Sequence, residues 1–582
     1  MEWRRLQILF VKSSDRRIGK ETMTYREEYE RWCEHATEDC LHEILVGMDE
    51  AQIEDAFYRN LAFGTGGLRG TIGAGTNRMN VYTVAKASQG LANYLVKKYG
   101  PQASVVIGYD SRIKSDIFAR TAASVFAANG VHVYIWPRLL PVPTVSYSVR
   151  YLGTSAGVMI TASHNPSKYN GYKVYGADGC QITTEAAAEI LGEIEALDIF
   201  LDVKKIVFET ALSKGAISYI HEEVLDCFIE EIKQQSVLYG EEVDKNVAIV
   251  YSPLNGTGLE PISRVLNELG YKNITVVEEQ RLPDGNFPTC PYPNPEIKEA
   301  LQLGLEYCHK TGADLMLATD PDCDRVGIAV RDSKGEYQLL SGNEVGMLLL
   351  DYICSQRRKH GTMPDHPLLI KTIVTIDMAD RIAAHYGLET INVLTGFKFI
   401  GEQIGFLEEK GEEERYVFGF EESYGYLTGG YVRDKDAVDG AYMICEMVSY
   451  YKIKGISLLD KMNELYETYG YCLNTLHSFE FEGSAGMAKM EEIMKGFRDN
   501  VGVGCVFAGR KVEAVNDYSK GLSGLPKSNV LKYRLVGNSS IVVRPSGTEP
   551  KMKVYISVSA ESKEDALIKE TRLYQELKVF FR

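Results

Sequence analysis

The chain has 582 residues, 45% of them hydrophobic and 25% charged, with a formal net charge of −16. That length exceeds a single hydrophobic core and implies roughly three to five domains, and the composition excludes disordered and collagen-like classes. The acidic balance argues against a nucleic-acid binder, which needs Lys and Arg patches, while leaving room for a local anion site for a small substrate.

The 11 Cys include no Cys-x-x-Cys pair, so no zinc or disulfide framework is expected and the thiols suit a reducing compartment. No apolar run is long enough to span a bilayer, and a cytoplasmic location is expected. Residues 1–22 carry Arg4, Arg5, Lys12, Arg16, Arg17 and Lys20 around a short apolar run at 6–11. That run is too short for a signal peptide. Residues 1–22 are expected to be a non-native or disordered extension, with translation starting at Met23.

In chain order, short β-branched runs at 104–108, 131–136, 157–161, 247–251 and 314–319 read as buried strands. Amphipathic stretches at 84–99 and 116–129 read as helices between them. The alternation predicts parallel sheets with crossover helices, repeated in three blocks. The expected domains are 23–206, 207–328, 329–460 and a final α+β unit at 471–582, rich in hairpins.

Four loops carry chemistry. Thr161-Ala162-Ser163-His164-Asn165-Pro166 leaves a strand at its carboxyl end, where ligands collect in α/β sheets. Ser163 is a candidate nucleophile needing a base or metal help. His164 adjoins it, but neighbouring side chains in extended backbone point apart, so it is not read as a triad base; the string also suits a plain turn. Thr319-Asp320-Pro321-Asp322-Cys323-Asp324-Arg325 offers three carboxylates at alternate positions. They suit Mg²⁺ better than Ca²⁺, because few protein oxygens are offered and a phosphate oxygen can complete the shell. Cys323 is too soft to be a ligand for that ion. An acidic surface turn, with Arg325 as its charge partner, is the plainer reading.

Gly419-Phe420-Glu421-Glu422-Ser423-Tyr424-Gly425 sets a carboxylate and a hydroxyl two residues apart, able to accept from and donate to vicinal sugar hydroxyls. Arg544-Pro545-Ser546-Gly547-Thr548-Glu549-Pro550 combines a guanidinium fork with a candidate anion nest. Arg69 ends a Gly-rich loop that is not a P-loop, since no Gly-Lys-Ser/Thr follows. Lys173 follows Ser163 closely, and Thr395-Gly396-Phe397-Lys398 puts a second lysine in a loop.

Together, in this order, the four loops resemble those of the α-D-phosphohexomutase superfamily, in its bacterial phosphoglucomutase branch, from about residue 23 onward. The strings Ser252-Pro253-Leu254-Asn255-Gly256-Thr257-Gly258 and Pro283-Asp284-Gly285-Asn286-Phe287-Pro288 support the resemblance. It implies four domains around a central cleft: three similar mixed-sheet α/β domains and a distinct α+β C-terminal domain. It implies Ser163 as the phosphoserine, and Asp320, Asp322 and Asp324 as Mg²⁺ ligands joined by a phosphoserine oxygen. Lys173 becomes the general acid/base, its pKa lowered by burial beside cations, with Arg69 and His164 also in the catalytic set. Glu421 and Ser423 become the sugar-binding pair. Arg544, Ser546, Gly547 and Thr548 hold the non-reacting phosphate, with Thr395, Gly396, Lys398 and Arg325 as further substrate contacts.

The resemblance also implies glucose 1,6-bisphosphate as activator, sugar phosphates as the small-molecule partners, and a monomer or weak homodimer. Competing expectations are a phosphomannomutase, a phosphopentomutase or a glucose-1,6-bisphosphate synthase of the same superfamily. Outside it stand a non-catalytic sugar-phosphate binder and a metal-dependent phosphatase. The N-terminal extension and the stretch 571–582 depart from the family pattern.

Overall fold

The computed structural model describes residues 23–581 except 39, 65–66, 183, 482, 523 and 547–550. The extension at 1–22 and its expected start at Met23 therefore fall outside or at the edge of the described residues. Among those residues no helix is long and apolar enough to cross a membrane.

Four sheets form along the chain. The first orders its strands Phe63–Gly64, Gly67–Thr71, Tyr169–Gly176, Ala156–Ile160, Ser104–Tyr109, His132–Ile135, Ile217–Tyr219. The second runs Tyr337–Leu340, Val326–Arg331, Leu315–Thr319, Ile249–Ser252, Ile274–Val276. The third runs Glu389–Val393, Leu368–Thr372, Tyr416–Glu421, Gly425–Leu427. The fourth is antiparallel, from Tyr471–Glu480 through Lys551–Ala560, Ser539–Pro545, Leu531–Leu535 and Arg510–Asp517 to Val506–Phe507. The divisions expected at 206 and 328 fall short of the sheets, since Ile217–Tyr219 pairs with His132–Ile135 and Tyr337–Leu340 pairs with Val326–Arg331.

The first three sheets are mixed, as the family resemblance implies, and not parallel as the alternation of strands and helices alone predicts. Ser104–Tyr109 pairs in parallel with both its neighbours, but Ala156–Ile160 and Tyr169–Gly176 pair antiparallel. Leu315–Thr319 with Val326–Arg331, and Tyr416–Glu421 with Gly425–Leu427, repeat that arrangement. The loops at 161–166, 319–325 and 419–425 are thus turns of hairpins at the carboxyl ends of central strands. Strands such as Ala156–Ile160, Leu315–Thr319 and Leu368–Thr372 are buried along their whole length, as expected when helices cover both faces.

The helix Ala437–Ile453 welds the domains together. Every residue from Ala437 to Tyr451 is buried, against Leu259–Glu268 of the second domain and Gly342–His360 of the third. Its Glu446 carboxylate accepts from Ser236 Oγ (2.6 Å), Val237 N (3.1 Å), Tyr352 OH (3.0 Å) and Tyr442 OH (2.6 Å). So buried an acid is tolerable because its oxygens are satisfied. Asp436 caps the helix N-terminus, accepting from Val438 N and Asp439 N. That fixes the preceding Arg433-Asp434-Lys435 against the metal-type loop.

Candidate active site

Ser163 sits in a left-handed turn with φ 53°, a conformation uncommon for a residue with a side chain. Its N–H donates to Thr161 Oγ1 at 2.8 Å. Its hydroxyl donates to Asp320 Oδ2 at 2.9 Å, so the loop of the first domain meets the acidic loop of the second. Ser163 Oγ also lies 3.2 Å from His164 Nδ1. The expectation that the two side chains diverge is corrected: it assumed extended backbone, and Ser163 is not extended. Packing around the imidazole, with the charges of Arg325 and Arg69, pushes His164 well below its ordinary range. Held in this way the ring stays neutral and is a poor acceptor for the serine proton.

Asp320, Asp322 and Asp324 are buried, and each offers one oxygen to a cluster whose atoms lie within 4.8 Å of one another. The loop is tightly shaped. Asp324 N and Arg325 N donate to Asp320 Oδ1 at 3.1 and 3.0 Å, and Thr257 N donates to Pro321 O at 2.9 Å. A Cβ on Gly256 would lie 2.4 Å from the Pro321 Cα, which explains the glycine in the 252–258 string.

Asp322 Oδ2 accepts from Lys173 Nζ (2.9 Å) and Thr161 Oγ1 (3.1 Å). Asp324 Oδ2 takes Lys173 Nζ at 3.2 Å and Lys435 Nζ at 2.9 Å. The remaining oxygens, Asp322 Oδ1 and Asp324 Oδ1, are buried without a hydrogen-bond partner; Arg325 Nε stands 3.8 Å from the latter. Orphaned hard oxygens of this kind next to a serine hydroxyl fit a small divalent cation that keeps open positions for a ligand. Cys323, buried in the apolar core, is no part of the set.

Electrostatics follow the same geometry. Burial, then Asp322 and Asp324, push the Asp320 carboxyl well above its ordinary range. Burial also opposes ionisation of Asp324, but Lys435, Lys173 and Arg325 outweigh it and hold that carboxyl well below. Lys173 is raised, because Asp322 and Asp324 overcome the cost of burial. That corrects the expectation of a lowered lysine: the neighbours that decide are carboxylates, not cations.

Glu421 ends its strand, accepts Gly396 N–H at 3.0 Å, and is pushed by burial up to about 7. Gly396 has φ 121°, where a side chain would be strained, and Thr395 Oγ1 is buried without a partner. Ser423 is half-buried in the following turn. Arg544 Nη2 donates to Tyr555 OH at 3.1 Å and its charge acts on Glu422, which places the fourth domain beside the sugar-type loop. Ser546 N–H donates to Lys551 O at 2.7 Å. Gly547 and Thr548 lie outside the described residues. Arg69 pairs in register with Gly171, and its charge reaches His164 and Arg112. Arg325 reaches Glu296 as well as the aspartates.

Two buried cations escaped sequence reasoning. Lys435 comes from the third domain to Asp324 of the second, and Arg112 underlies the Ser163 loop. The run Arg433-Asp434-Lys435-Asp436 of alternating charge ahead of an all-buried helix was the available signal for Lys435.

A serine hydroxyl facing a buried carboxylate trio, with lysines and arginines ringed around both, defines a site for metal-assisted group transfer. Profiles of the phosphoglucomutase/phosphomannomutase family match in three places: α/β/α domain I over residues 60–199, domain II over 226–335 and domain III over 341–469. Phosphoglucomutases of Staphylococcus saprophyticus and Staphylococcus haemolyticus are similar along most of their length. The first is 36% identical over 544 residues, covering 91% of this chain and 96% of that one. The second is 37% identical over 520 residues, covering 88% and 92%. The open form of pp63/parafusin, a phosphoglucomutase from Paramecium, shares the fold with a TM-score of 0.66 at 17% identity, over 90% of this chain and 95% of that one. The chain belongs to the phosphoglucomutase/phosphomannomutase family of the α-D-phosphohexomutase superfamily.

Proposed function

We propose that the chain is a phosphoglucomutase, an isomerase that interconverts glucose 1-phosphate and glucose 6-phosphate through a phosphorylated Ser163 and a glucose 1,6-bisphosphate intermediate. The observation that carries this reading is the Ser163 hydroxyl 2.9 Å from Asp320 within the buried trio, in a chain of this family. Asp320, Asp322 and Asp324 would hold Mg²⁺ with an oxygen of the phosphoserine. Bound there, the ion would neutralise phosphoryl charge and make Ser163 a better leaving group.

The residues of the chain divide the remaining work. In the first transfer the bond from phosphorus to Ser163 Oγ breaks as a sugar hydroxyl oxygen bonds to phosphorus, and Lys173, held as ammonium, gives a proton to the Ser163 oxygen that leaves while taking up the one the sugar hydroxyl sheds. After the bisphosphate turns round, Ser163 Oγ attacks the other phosphoryl group. Its proton returns by the same relay through Lys173 to the sugar oxygen that leaves, so the lysine ends each transfer as the ammonium it began, with His164 as the neutral neighbour of Ser163 Oγ. Glu421 and Ser423 orient the sugar. Arg544, Ser546, Gly547 and Thr548 grip the phosphate that is not reacting, with Thr395, Gly396, Lys398, Arg325 and Arg69 lining the path. Glucose 1,6-bisphosphate primes dephosphorylated enzyme. The enzyme works in the cytoplasm, as a monomer or weak homodimer.

The deciding assay offers glucose 1-phosphate, mannose 1-phosphate and ribose 1-phosphate side by side, with Mg²⁺ and a trace of glucose 1,6-bisphosphate. Glucose 1-phosphate should give the highest kcat/KM; a higher value for either competitor ends the glucose assignment. Arg544→Ala should raise KM for glucose 1-phosphate roughly 10- to 100-fold, the worth of a charged hydrogen-bonding anchor. An unchanged KM would put that phosphate on another residue.

Lys398 supplies a pH test. Burial pulls its ammonium down to about 8, outweighing the opposing influence of Cys180 and Glu402. Below that pH the free enzyme presents a cation to the substrate phosphate; above it the charge is lost. The kcat/KM should therefore fall as pH rises through about 8. In Lys398→Arg, whose charge persists, the decline should vanish; a decline of the same size in the variant would assign it to another group.

A further inference from the structure

Arg112 follows the strand Ser104–Tyr109 and is 3% exposed, yet its side chain serves a loop far along the chain. Its Nη1 donates to Pro166 O at 3.0 Å and Tyr169 O at 3.1 Å. Its Nη2 donates to Ser163 O and Asn165 O. Four carbonyls of the turn from Ser163 to Tyr169 therefore converge on one planar fork.

The fork is itself held. Asp110 Oδ2 stands 3.5 Å from Arg112 Nε, and Asp110 Oδ1 accepts Arg112 N–H at 3.0 Å and the Ser115 hydroxyl at 2.8 Å. The Phe287 ring of the second domain lies 5.1 Å from the guanidinium carbon. A Cβ on Gly285 would come within 2.4 Å of Ile113 N, so the 283–288 string backs directly onto this loop.

Two physical points give the arrangement its meaning. In a planar trans peptide the carbonyl and the following N–H point oppositely. Drawing the Ser163 carbonyl down to Arg112 therefore turns the next N–H to the other side of the loop and fixes the Ser163 turn. A non-glycine residue with positive φ also persists only where its surroundings over-determine it, and Ser163 at φ 53° is such a residue. We propose that Arg112 is a positioning residue for phosphoryl transfer: by clamping the main-chain carbonyls of residues 163–169 it holds Ser163 Oγ at the carboxylate trio. The proposal rests on the reading of Ser163 as the phosphorylated nucleophile. Lysine cannot replace the fork, because one ammonium donates from a single point and cannot reach four carbonyls set around the edge of a planar guanidinium.

The test is Arg112→Lys in the full-length enzyme. Misplacement of a nucleophile by about 1 Å costs on the order of 100-fold, so kcat should fall about that far. KM for glucose 1-phosphate should stay within about 3-fold, because the proposed sugar and distal-phosphate contacts belong to other domains. Transfer of labelled phosphoryl from glucose 1,6-bisphosphate to Ser163 should slow by the same factor as kcat. Equal kcat and equal labelling, or a rise in KM that accounts for the whole loss, would overturn the proposal. Phe287→Leu keeps the fork but removes the ring beneath it, and covers the case in which Arg112→Lys does not fold. It should lower kcat several-fold with KM held, and an unaltered kcat would count against the clamp. Wild-type enzyme that never takes label at Ser163 would instead overturn the nucleophile reading on which the clamp depends.

Discussion

Ser163→Ala is expected to lower kcat by on the order of 10⁴-fold or more, the scale seen when a covalent nucleophile is removed, while the protein stays folded. The hydroxyl makes one hydrogen bond to Asp320 and one contact to His164, so its loss costs stability only about 1 kcal/mol. Alanine fits the space and leaves the Arg112 fork its four carbonyls. Asp320, already biased toward its protonated form by burial and by its two neighbours, is not left as a bare charge. Activity and stability are thereby separated. Intact mass after incubation with glucose 1,6-bisphosphate should show one added phosphoryl group on the wild type and none on the variant. Turnover by a clean preparation of the variant would refute the nucleophile assignment.

The strands and helices were legible where burial leaves a continuous signal. Leu315–Thr319 is apolar along its length because both faces are covered. An apolar run carries no mark of direction, however, so the alternation of strands and helices alone read as parallel sheets, and it was the family resemblance that implied the mixed sheets observed. Ile217–Tyr219 is only three residues long and partly exposed, too short to register, and the first domain was closed too early.

In the site, Ser163 and the three aspartates stood out because each lies in one short string. Arg112 did not, because its partners are main-chain carbonyls about fifty residues away, which no side-chain pattern records. Lys435 is separated from Asp324 by a whole domain of sequence. The error over His164 came from assuming a backbone conformation, and that over Lys173 from guessing its charged neighbours.

Asp324→Asn should remove most metal-dependent turnover, on the order of 10²–10³-fold or more, and should also destabilise the protein before any metal is added. Its carboxylate takes Lys435 at 2.9 Å and Lys173 at 3.2 Å, with Arg325 at 3.8 Å. Burial opposes that charge, but the three cations hold the carboxyl well below its ordinary range. A depressed folded-state pKa contributes stability at pH above the unfolded value of about 3.9 and loses it only as pH falls toward the folded value. At neutral pH the full contribution is present, and an amide abolishes it while leaving buried cations without their partner, a change worth about 3–5 kcal/mol.

Asp320→Asn supplies the contrast within the same loop. Its folded-state pKa is raised, so ionisation at neutral pH works against folding, and an amide can still accept the Asp324 and Arg325 N–H groups at Oδ1. That variant should lose comparable activity at a stability cost of only about 1 kcal/mol. Urea denaturation of the two variants and the wild type in EDTA at pH 7 measures the difference. Equal losses in the two variants would mean that pairing with Lys173, Lys435 and Arg325 is not what Asp324 contributes. The metal-free site would then be held by its hydrogen-bonded loop rather than by a balance of three carboxylates against three cations.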